Sequence, residues 1–357
     1  MKVVIDVSPL KSGHQFRGIG TYTRNLIAAL KKIDKKNEYE LVDSPQEAKT
    51  ADIVHYPFFD LFFHTLPLVK RKKTVVTIHD LTPLVFPRHY PPGIKGNIRF
   101  FVQKISLRGV KAIITDSQNS KKDIVKFLAV PKSKIHVVYL APGKKFRKLE
   151  IGIPEESREV GNWKLEIKQK YHLPDTFVLY VGDVNYNKNV LTLVGACKKI
   201  KIPVVIVGKQ ATQIDFDRTH PENQPLVQLI KQYGNDPQVI RTGFIPEKDL
   251  IGLYNLADVY CQPSLYEGFG LSILEAMACG CPVVAGKVSS LPEICGKAAI
   301  LVAPADRVNI SRGIFQVLEN RNLRAELVQK GFQQAKKFSW QKTALATIKI
   351  YEKVFNQ

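Results

Sequence analysis

The sequence predicts an α/β fold built from two parallel-sheet halves, and three observations predict it. Short apolar, strand-like runs alternate with helix-like stretches along the whole chain. Several of the runs, FVLYVG and VVIVG among them, are apolar on both faces, which suits strands covered by helices on each side. A polar segment with Gly and Pro breaks, residues 143–175, separates two such halves of similar size.

The elements follow in order. The first half offers strands at Val3–Val7, Asp52–His55, Thr74–His79, Ala112–Thr115 and Ile135–Tyr139. Helical patterns lie between them at Tyr22–Lys32, Asn97–Gly109 and Ser120–Leu128. Ser120 reads as an N-cap, with Asp123 favoured by the positive helix end. The second half restarts the rhythm at Phe177–Val181, Val204–Val207, Val239–Ile240, Val259–Cys261, Val283–Ala285 and Ala299–Val302. Trp340–Phe355 reads as an amphipathic helix, with Ala344, Ile348, Tyr351 and Phe355 at spacings of four, three and four. Ligands of open parallel sheets bind beyond the carboxyl ends of the strands, so the space between two such domains is the expected site.

Composition narrows the class. At about 150 residues per domain, the 357 residues suggest two domains. A hydrophobic share of 45% with 24% charged residues excludes whole-chain disorder. No apolar run approaches the roughly 18 residues that span a bilayer. The opening MKVVIDVSPL turns polar too early for a signal peptide. Cys197, Cys261, Cys279, Cys281 and Cys295 contain no CxxC pair. They read as free thiols of a cytoplasmic, reducing compartment, with no metal site. The net charge is +21. Residues 1–150 carry 28 of the Lys and Arg and only 12 of the Asp and Glu, so the excess sits mainly in the first half. A basic half-molecule seeks an anion: nucleic acid, a phospholipid surface or a phosphorylated substrate.

The segment richest in chemistry is PSLYEGFGLSILEAMACGCPVVAGKVSSLP, residues 263–292. A strand feeds a loop ending in Glu267-Gly268-Phe269-Gly270, and a helix runs from about Leu271 to Ala278 before Gly280. The glycines permit close backbone approach, and the open amides at the helix start suit a phosphate. Glu275, one helical turn inside, leans back toward the same mouth. Carboxylate, amide cradle and carboxylate match the order of sugar hydroxyls, diphosphate and ribose hydroxyls. A Glu near a helix start is also favourable by the dipole alone, so spacing by itself leaves both readings open.

The stretch resembles the donor-binding motif of the retaining glycosyltransferases of family 4. Glu267 and Glu275 fit its E-x7-E pair, with GFG between them and LEAMACGCPVV after. VIRTGFIPEKDLIGL upstream, SSLPE and FSWQKTA downstream, and GIGTYTRNL and TIHDLTP in the first half extend the likeness over nearly the whole chain. The resemblance implies a GT-B fold: two Rossmann-like, doubly wound parallel-sheet domains facing a central cleft. It implies an acceptor domain at 1–165, a donor domain at 166–337, and a helix at 338–357 that crosses back to the first domain.

It also implies roles. Glu275 holds the donor ribose, and Glu267 sits at the donor sugar and anomeric centre. Gly268, Phe269, Gly270 and Leu271 contact sugar and phosphate, and Lys188 stabilises the leaving diphosphate. Gly18 and Gly20, in a loop that is no dinucleotide fingerprint because Thr23 takes the third glycine's place, approach donor and acceptor. His79 contacts a hydroxyl, with Asp80 beside it as a candidate for orienting it. Gly182 ends a strand, but Asp183 follows where relatives carry Arg or Thr, and Asn187 stands where many carry Arg. Either Asp183 points away from the diphosphate, or another cation such as Arg241 compensates.

The implied reaction moves a hexose from a GDP- or UDP-linked donor to an acceptor hydroxyl, with retention, without a further cofactor and without metal. The HDLTP and PSLYEGFG wording is nearer to mannosyltransferases. Asp215-Phe216-Asp217 is read as a chance DxD. The acceptor is a glycan or a lipid-linked precursor. Basic clusters such as Lys70-Arg71-Lys72-Lys73, Lys121-Lys122 and Lys144-Lys145 suggest docking on anionic lipid at the inner membrane face, against the simpler reading of solubility. The run Phe58, Phe59, Leu61, Phe62, Phe63 reads as core or as a lipid-facing loop. Two other classes stay in view: a nucleotide-sugar epimerase or non-catalytic relative, and a basic nucleic-acid-binding protein. The last lacks any recognisable binding module.

Overall fold

A computed structural model describes residues 1–11, 18–45, 50–149 and 163–357. The chain divides into two compact units: residues 1–141 with 338–357, and residues 142–337. Residues 150–162 of the polar segment lie outside the described residues.

The first unit holds six parallel strands: β1 (Lys2–Asp6), β2 (Glu38–Val42), β3 (Ile53–Tyr56), β4 (Lys73–Thr77), β5 (Ala112–Thr115) and β6 (Ile135–Val137). Their order is β2-β1-β3-β4-β5-β6. The apolar runs in the sequence mark five of them. The sixth, β2, escapes that reading because EYELV lies at the sheet edge with alternating polar residues and none of its side chains fully buried. The inner strands β3 and β5 are buried at every position, as continuous apolar runs require. Three helix starts shift. The helix expected at Tyr22–Lys32 begins at Gly18, so Gly18 and Gly20 lie in its first turn and not in a loop before it. Ser117, not Ser120, caps the helix Gln118–Leu128, its hydroxyl accepting the Ser120 amide at 3.0 Å. The helix expected at Asn97–Gly109 begins earlier, at Gly93, and ends at Ser106, with a 3₁₀ turn carrying the chain on through Gly109. We label the helices of this unit α1 (Gly18–Ile33), α2 (Thr82–Val85), α3 (Gly93–Ser106) and α4 (Gln118–Leu128). The helix Trp340–Phe355 also packs here, against α1 and the strands β3, β4 and β5. Ser339 caps it.

The second unit repeats the plan with β7 (Val178–Val181), β8 (Val204–Val207), β9 (Val239–Gly243), β10 (Val259–Gln262), β11 (Val283–Gly286) and β12 (Ala299–Val302). All neighbours pair in parallel, in the order β12-β11-β10-β7-β8-β9. Its helices are α5 (Trp163–Lys170), α6 (Val190–Lys199), α7 (Gln224–Tyr233), α8 (Glu247–Leu256), α9 (Leu271–Ala278), α10 (Leu291–Cys295), α11 (Arg307–Glu319) and α12 (Arg321–Ala335), so the helix Trp340–Phe355 is α13. The core is Val, Ile and Leu from β7, β8 and β10 packed under α6 and α11. All five cysteines are free and buried. The chain runs outward from β7 to β9, then returns to β10 beside β7 and runs the other way. β7 and β10 therefore flank the reversal point, where open sheets leave a crevice past the strand ends. Among the described residues, no helix is long and apolar enough to cross a membrane.

Candidate active site

The loops after β7 and β10 meet at that reversal point. Gly182 ends β7 with φ +152°, and a Cβ there would lie 2.8 Å from the Tyr180 hydroxyl, so glycine is required. The loop that follows is braced from three sides. The Tyr180 hydroxyl donates to the Asp183 carbonyl at 2.7 Å, Gln210 accepts from the Val184 amide, and the Asn187 amide group donates to the Tyr266 carbonyl at 3.0 Å. Asn189, in a left-handed conformation, donates to the carbonyls of Pro263 and Pro304 and thus ties the two loops together. This bracing delivers Lys188 to Glu267, with Nζ 2.8 Å from each carboxylate oxygen.

Glu267 is buried and held rigidly. Its Oε1 also accepts from Gln262 Nε2 and Ser264 Oγ, both at 2.7 Å, while Oε2 accepts from Lys188. The Gln262 amide is fixed in turn by the Tyr260 hydroxyl at 2.8 Å. The Glu267 backbone is gripped by two serines: Ser289 Oγ accepts its amide at 2.9 Å, and Ser290 Oγ donates to its carbonyl at 2.9 Å. Ser289 sits at φ +50°, a left-handed conformation unfavourable for serine and costing on the order of 1 kcal/mol. Such strain beside a buried carboxylate marks a site whose geometry is imposed by its surroundings.

Gly268, Phe269 and Gly270 follow, all buried, and lead into α9 at Leu271. Gly270 is the N-cap with φ +101°, and a Cβ there would press on Leu291 at 2.9 Å. Among the described residues, no side chain caps this helix start. Glu275, within α9, is half-buried and accepts from the Tyr254 hydroxyl at 3.2 Å. Burial pushes its carboxyl up to about 7, against the opposing Tyr254 hydrogen bond. Tyr254 is itself wedged edge-on between Phe146 and Tyr260.

Arg241 stands apart from this group. It lies on β9, two strands from β7, and its guanidinium donates to the carbonyls of Ala211 and Gly234 at 3.2 and 3.1 Å. Asp183 makes no ion pair among the described residues. The DxD at Asp215–Asp217 forms an exposed turn in which Asp217 accepts from Thr219 and His220.

In the first unit, His79 follows β4 and links three strand ends. Its Nδ1 lies 2.6 Å from Asp116 after β5, and its Nε2 donates to the Pro57 carbonyl after β3 at 3.1 Å. Burial disfavours charge on the ring, yet the Asp116 carboxylate outweighs it and raises the imidazole above its ordinary range. Asp116, rather than the expected Asp80, orients His79. Asp80 instead turns to the backbone ahead of α2, accepting the Thr82 amide at 2.9 Å. Tyr22, from α1, meets the His79 ring edge-on at 4.8 Å. Gly18 opens α1 in open space, and Gly20 is buried two residues on; residues 12–17 before them lie outside the described residues.

Comparison with known proteins gives the family. Residues 163–334 match the model for glycosyl transferases group 1, and residues 41–141 match that for glycosyltransferase family 4. An O-antigen chain mannosyltransferase B of Escherichia coli is 31% identical over 290 residues, which span 79% of this chain and 70% of that protein. The chain is a family 4, group 1 glycosyltransferase. Serotype-specific mannosyltransferase WbdA of Escherichia coli is 30% identical over 275 residues, 76% of this glycosyltransferase but only 32% of WbdA. Among solved structures, sucrose-phosphate synthase of Thermosynechococcus elongatus superposes with a TM-score of 0.75 at 18% identity, covering 99% of each chain. Anabaena Alr3699/HepE in complex with UDP and glucose gives 0.73 at 17% identity, covering 99% of this chain and all of that one. These neighbours share the GT-B fold.

Sequence reasoning missed Gln262, Ser264, Ser289, Ser290 and Asp116. Gln262 and Ser264 had a legible signal: both are polar residues at the buried carboxyl end of an apolar strand, where an unpaired polar group is costly. Asp116 had one too, as the first charge after the buried strand β5, beside the strand β4 that precedes His79.

Proposed function

We propose that this glycosyltransferase moves a hexose, mannose before others, from a nucleotide sugar to a hydroxyl of a glycan or lipid-linked acceptor, with retention of the α configuration. The observation that carries the reading is the Lys188–Glu267 pair at the reversal point of the second sheet, next to the uncapped start of α9 and Glu275. The mannosyltransferase names of the relatives support the sugar, and the UDP and glucose bound in the Anabaena structure support a nucleotide-sugar donor.

Each residue then has a distinct task. Glu275 accepts hydrogen bonds from the paired ribose hydroxyls in its carboxylate form. Gly268 to Leu271 bring backbone close to sugar and diphosphate, where the helix start favours negative charge. Lys188 neutralises Glu267 before the donor arrives and turns toward the diphosphate as charge grows on the leaving oxygen. Glu267 orients the sugar and stabilises positive charge at the anomeric carbon. Its Oε1 is bound by three donors, which fixes its orientation and occupies its lone pairs, and this suits an electrostatic partner better than a covalent nucleophile. His79 exchanges its Pro57 contact for a substrate hydroxyl. Lys188 and the helix start serve the diphosphate in place of a metal, so activity should survive chelation with EDTA.

The test begins with thermal shift. UDP, GDP, ADP and their sugar conjugates are screened against the wild type and Glu275→Ala. One nucleotide should raise the wild-type melting temperature and leave Glu275→Ala unmoved. Transfer from the matching donor to a mannoside is then followed by NMR. An α-linked product from an α-linked donor supports retention, and a β-linked product rejects it. A nucleotide-linked product formed without acceptor replaces the reading with epimerisation.

A further inference from the structure

The helix α3 packs Phe100 against the core, yet carries a second apolar stripe on its outer face. Its buried positions are Gly96, Gln103 and Ser106. Ile94, Ile98 and Phe101, at spacings of four and three, are 83%, 61% and 66% exposed. An amphipathic helix of a soluble domain turns such a stripe inward, so this one is set toward something other than its own core.

The neighbouring loop extends the ridge. The aromatic run divides: Phe59 and Leu61 are buried, whereas Phe63 is 62% exposed. Phe63 is held in that position by several contacts. Asp60 Oδ1 accepts the Phe62 and Phe63 amides at 2.7 and 3.0 Å. The buried Gln103 side chain donates to the carbonyls of Asp60 and Phe63 and to Thr65. The Arg99 guanidinium stacks over the Phe63 ring at 5.3 Å. Leu68 and Val69 follow, also exposed, in a segment that Lys70 ties to α3 through the Ser106 carbonyl at 2.6 Å. Polar contacts thus keep an apolar ridge in water, where it gains nothing for folding.

Charge identifies the occupant. Residues 61–115 contain ten Lys and Arg and a single acid, Asp80, which accepts the Thr82 amide. Lys95, Arg99, Lys104 and Arg108 border the ridge along α3 and the turn after it. Apolar side chains flanked by long basic ones match a bilayer surface, where the former enter the acyl boundary and the latter reach anionic headgroups. We propose that α3 and the loop Asp60–Lys70 form a docking face for an anionic lipid leaflet. Beside the basic clusters at Lys121-Lys122 and Lys144-Lys145, the apolar neighbours Ile124 and Phe146 are buried. The proposal stands independently of the donor chemistry.

Vesicle flotation of the full chain tests it. Phosphatidylcholine vesicles are compared with vesicles of phosphatidylcholine and phosphatidylglycerol, at low and moderate salt. The wild type should float with the anionic vesicles and stay behind with the neutral ones. Ile94→Asn/Ile98→Asn/Phe101→Ser should lower the partition coefficient on the order of a hundredfold, since burial of each side chain contributes several-fold. Its melting temperature and nucleotide shift should match the wild type. Lys95→Glu/Arg108→Glu should lose the preference for anionic lipid. Wild type that ignores both vesicle types overturns the proposal. So does a triple variant that floats like wild type, which would mark adsorption by scattered lysines.

Discussion

Glu275 combines a proposed function and a stability cost in the same carboxyl group. Its folded value of about 7 lies above its ordinary 4.5, so the folded state binds the extra proton. The contribution of a protonated Glu275 is fully present below about 4.5 and lost as pH rises through 7, a difference of about 3 kcal/mol at most. Glu275→Gln should therefore raise the melting temperature by several degrees at pH 8 and by little at pH 5, while nucleotide binding disappears at both. Because the carboxylate form is proposed to hold the ribose, wild-type nucleotide affinity should climb with pH up to about 7 and then level off. Calorimetric titration across pH 5.5–8.5 checks this (range chosen to bracket the shifted value). For Lys188 and Glu267, Glu267→Gln removes one negative charge and leaves Lys188 without its counter-ion. The kcat should fall by roughly a hundredfold or more with a smaller change in KM, as for a group acting in the transition state. In the first unit, Asp116→Asn should lower the His79 titration in NMR, because burial then acts with less opposition.

Elements were legible from sequence where they are buried on both sides. The continuous runs of β7, β8 and β11 are strands because no other element fits a short run apolar on every face. The edge strand β2 was not legible, since its EYELV alternates and its stability comes from pairing with β1. The site was legible as far as its own motif reaches: Glu267, Glu275 and the glycines lie in one segment, and family likeness extended that to Lys188. The supports were hidden because they converge from distant loops, as Ser289 and Ser290 do from beyond β11, and no local spacing encodes that convergence. The helix α13 shows the same limit. Its amphipathic stripe announces a helix, but not that Tyr351 will meet His55 at 2.6 Å, or that Thr77 bridges His55 to Tyr22.

Two groups shifted by burial, one in each unit, should respond oppositely to acid. Burial holds His55 in the first unit down at about 3, so its unfolded form takes up a proton below about 6.5 and stability is lost as pH falls. In the second unit, Glu275 acts in the reverse sense over the same range. Calorimetry from pH 7 to pH 5 should show His55→Gln flattening the acid loss of one transition and Glu275→Gln flattening the acid gain of the other. Deleting residues 338–357 should lower the transition of the first unit, which loses the buried side chains of Trp340, Ile350, Tyr351 and Val354. The nucleotide-induced shift, which the proposed function assigns to the second unit, should remain. At this scale the charge asymmetry was legible from composition, whereas its concentration beside an outward-facing apolar ridge needed the packing of α3.

The path of the chain through its two units also sets an order of assembly. Synthesis makes the sheet of the first unit before the second unit, yet the helix that covers β3, β4 and β5 is made after it. At about 5–20 residues per second, the roughly 200 intervening residues impose a wait of some ten to forty seconds. Throughout it, His55 lacks the aromatic hydroxyl of Tyr351, and the second unit can finish folding first. The unit begun earlier is thus completed later, and a nascent chain cut short anywhere before α13 leaves that sheet uncovered for chaperones and proteases to find.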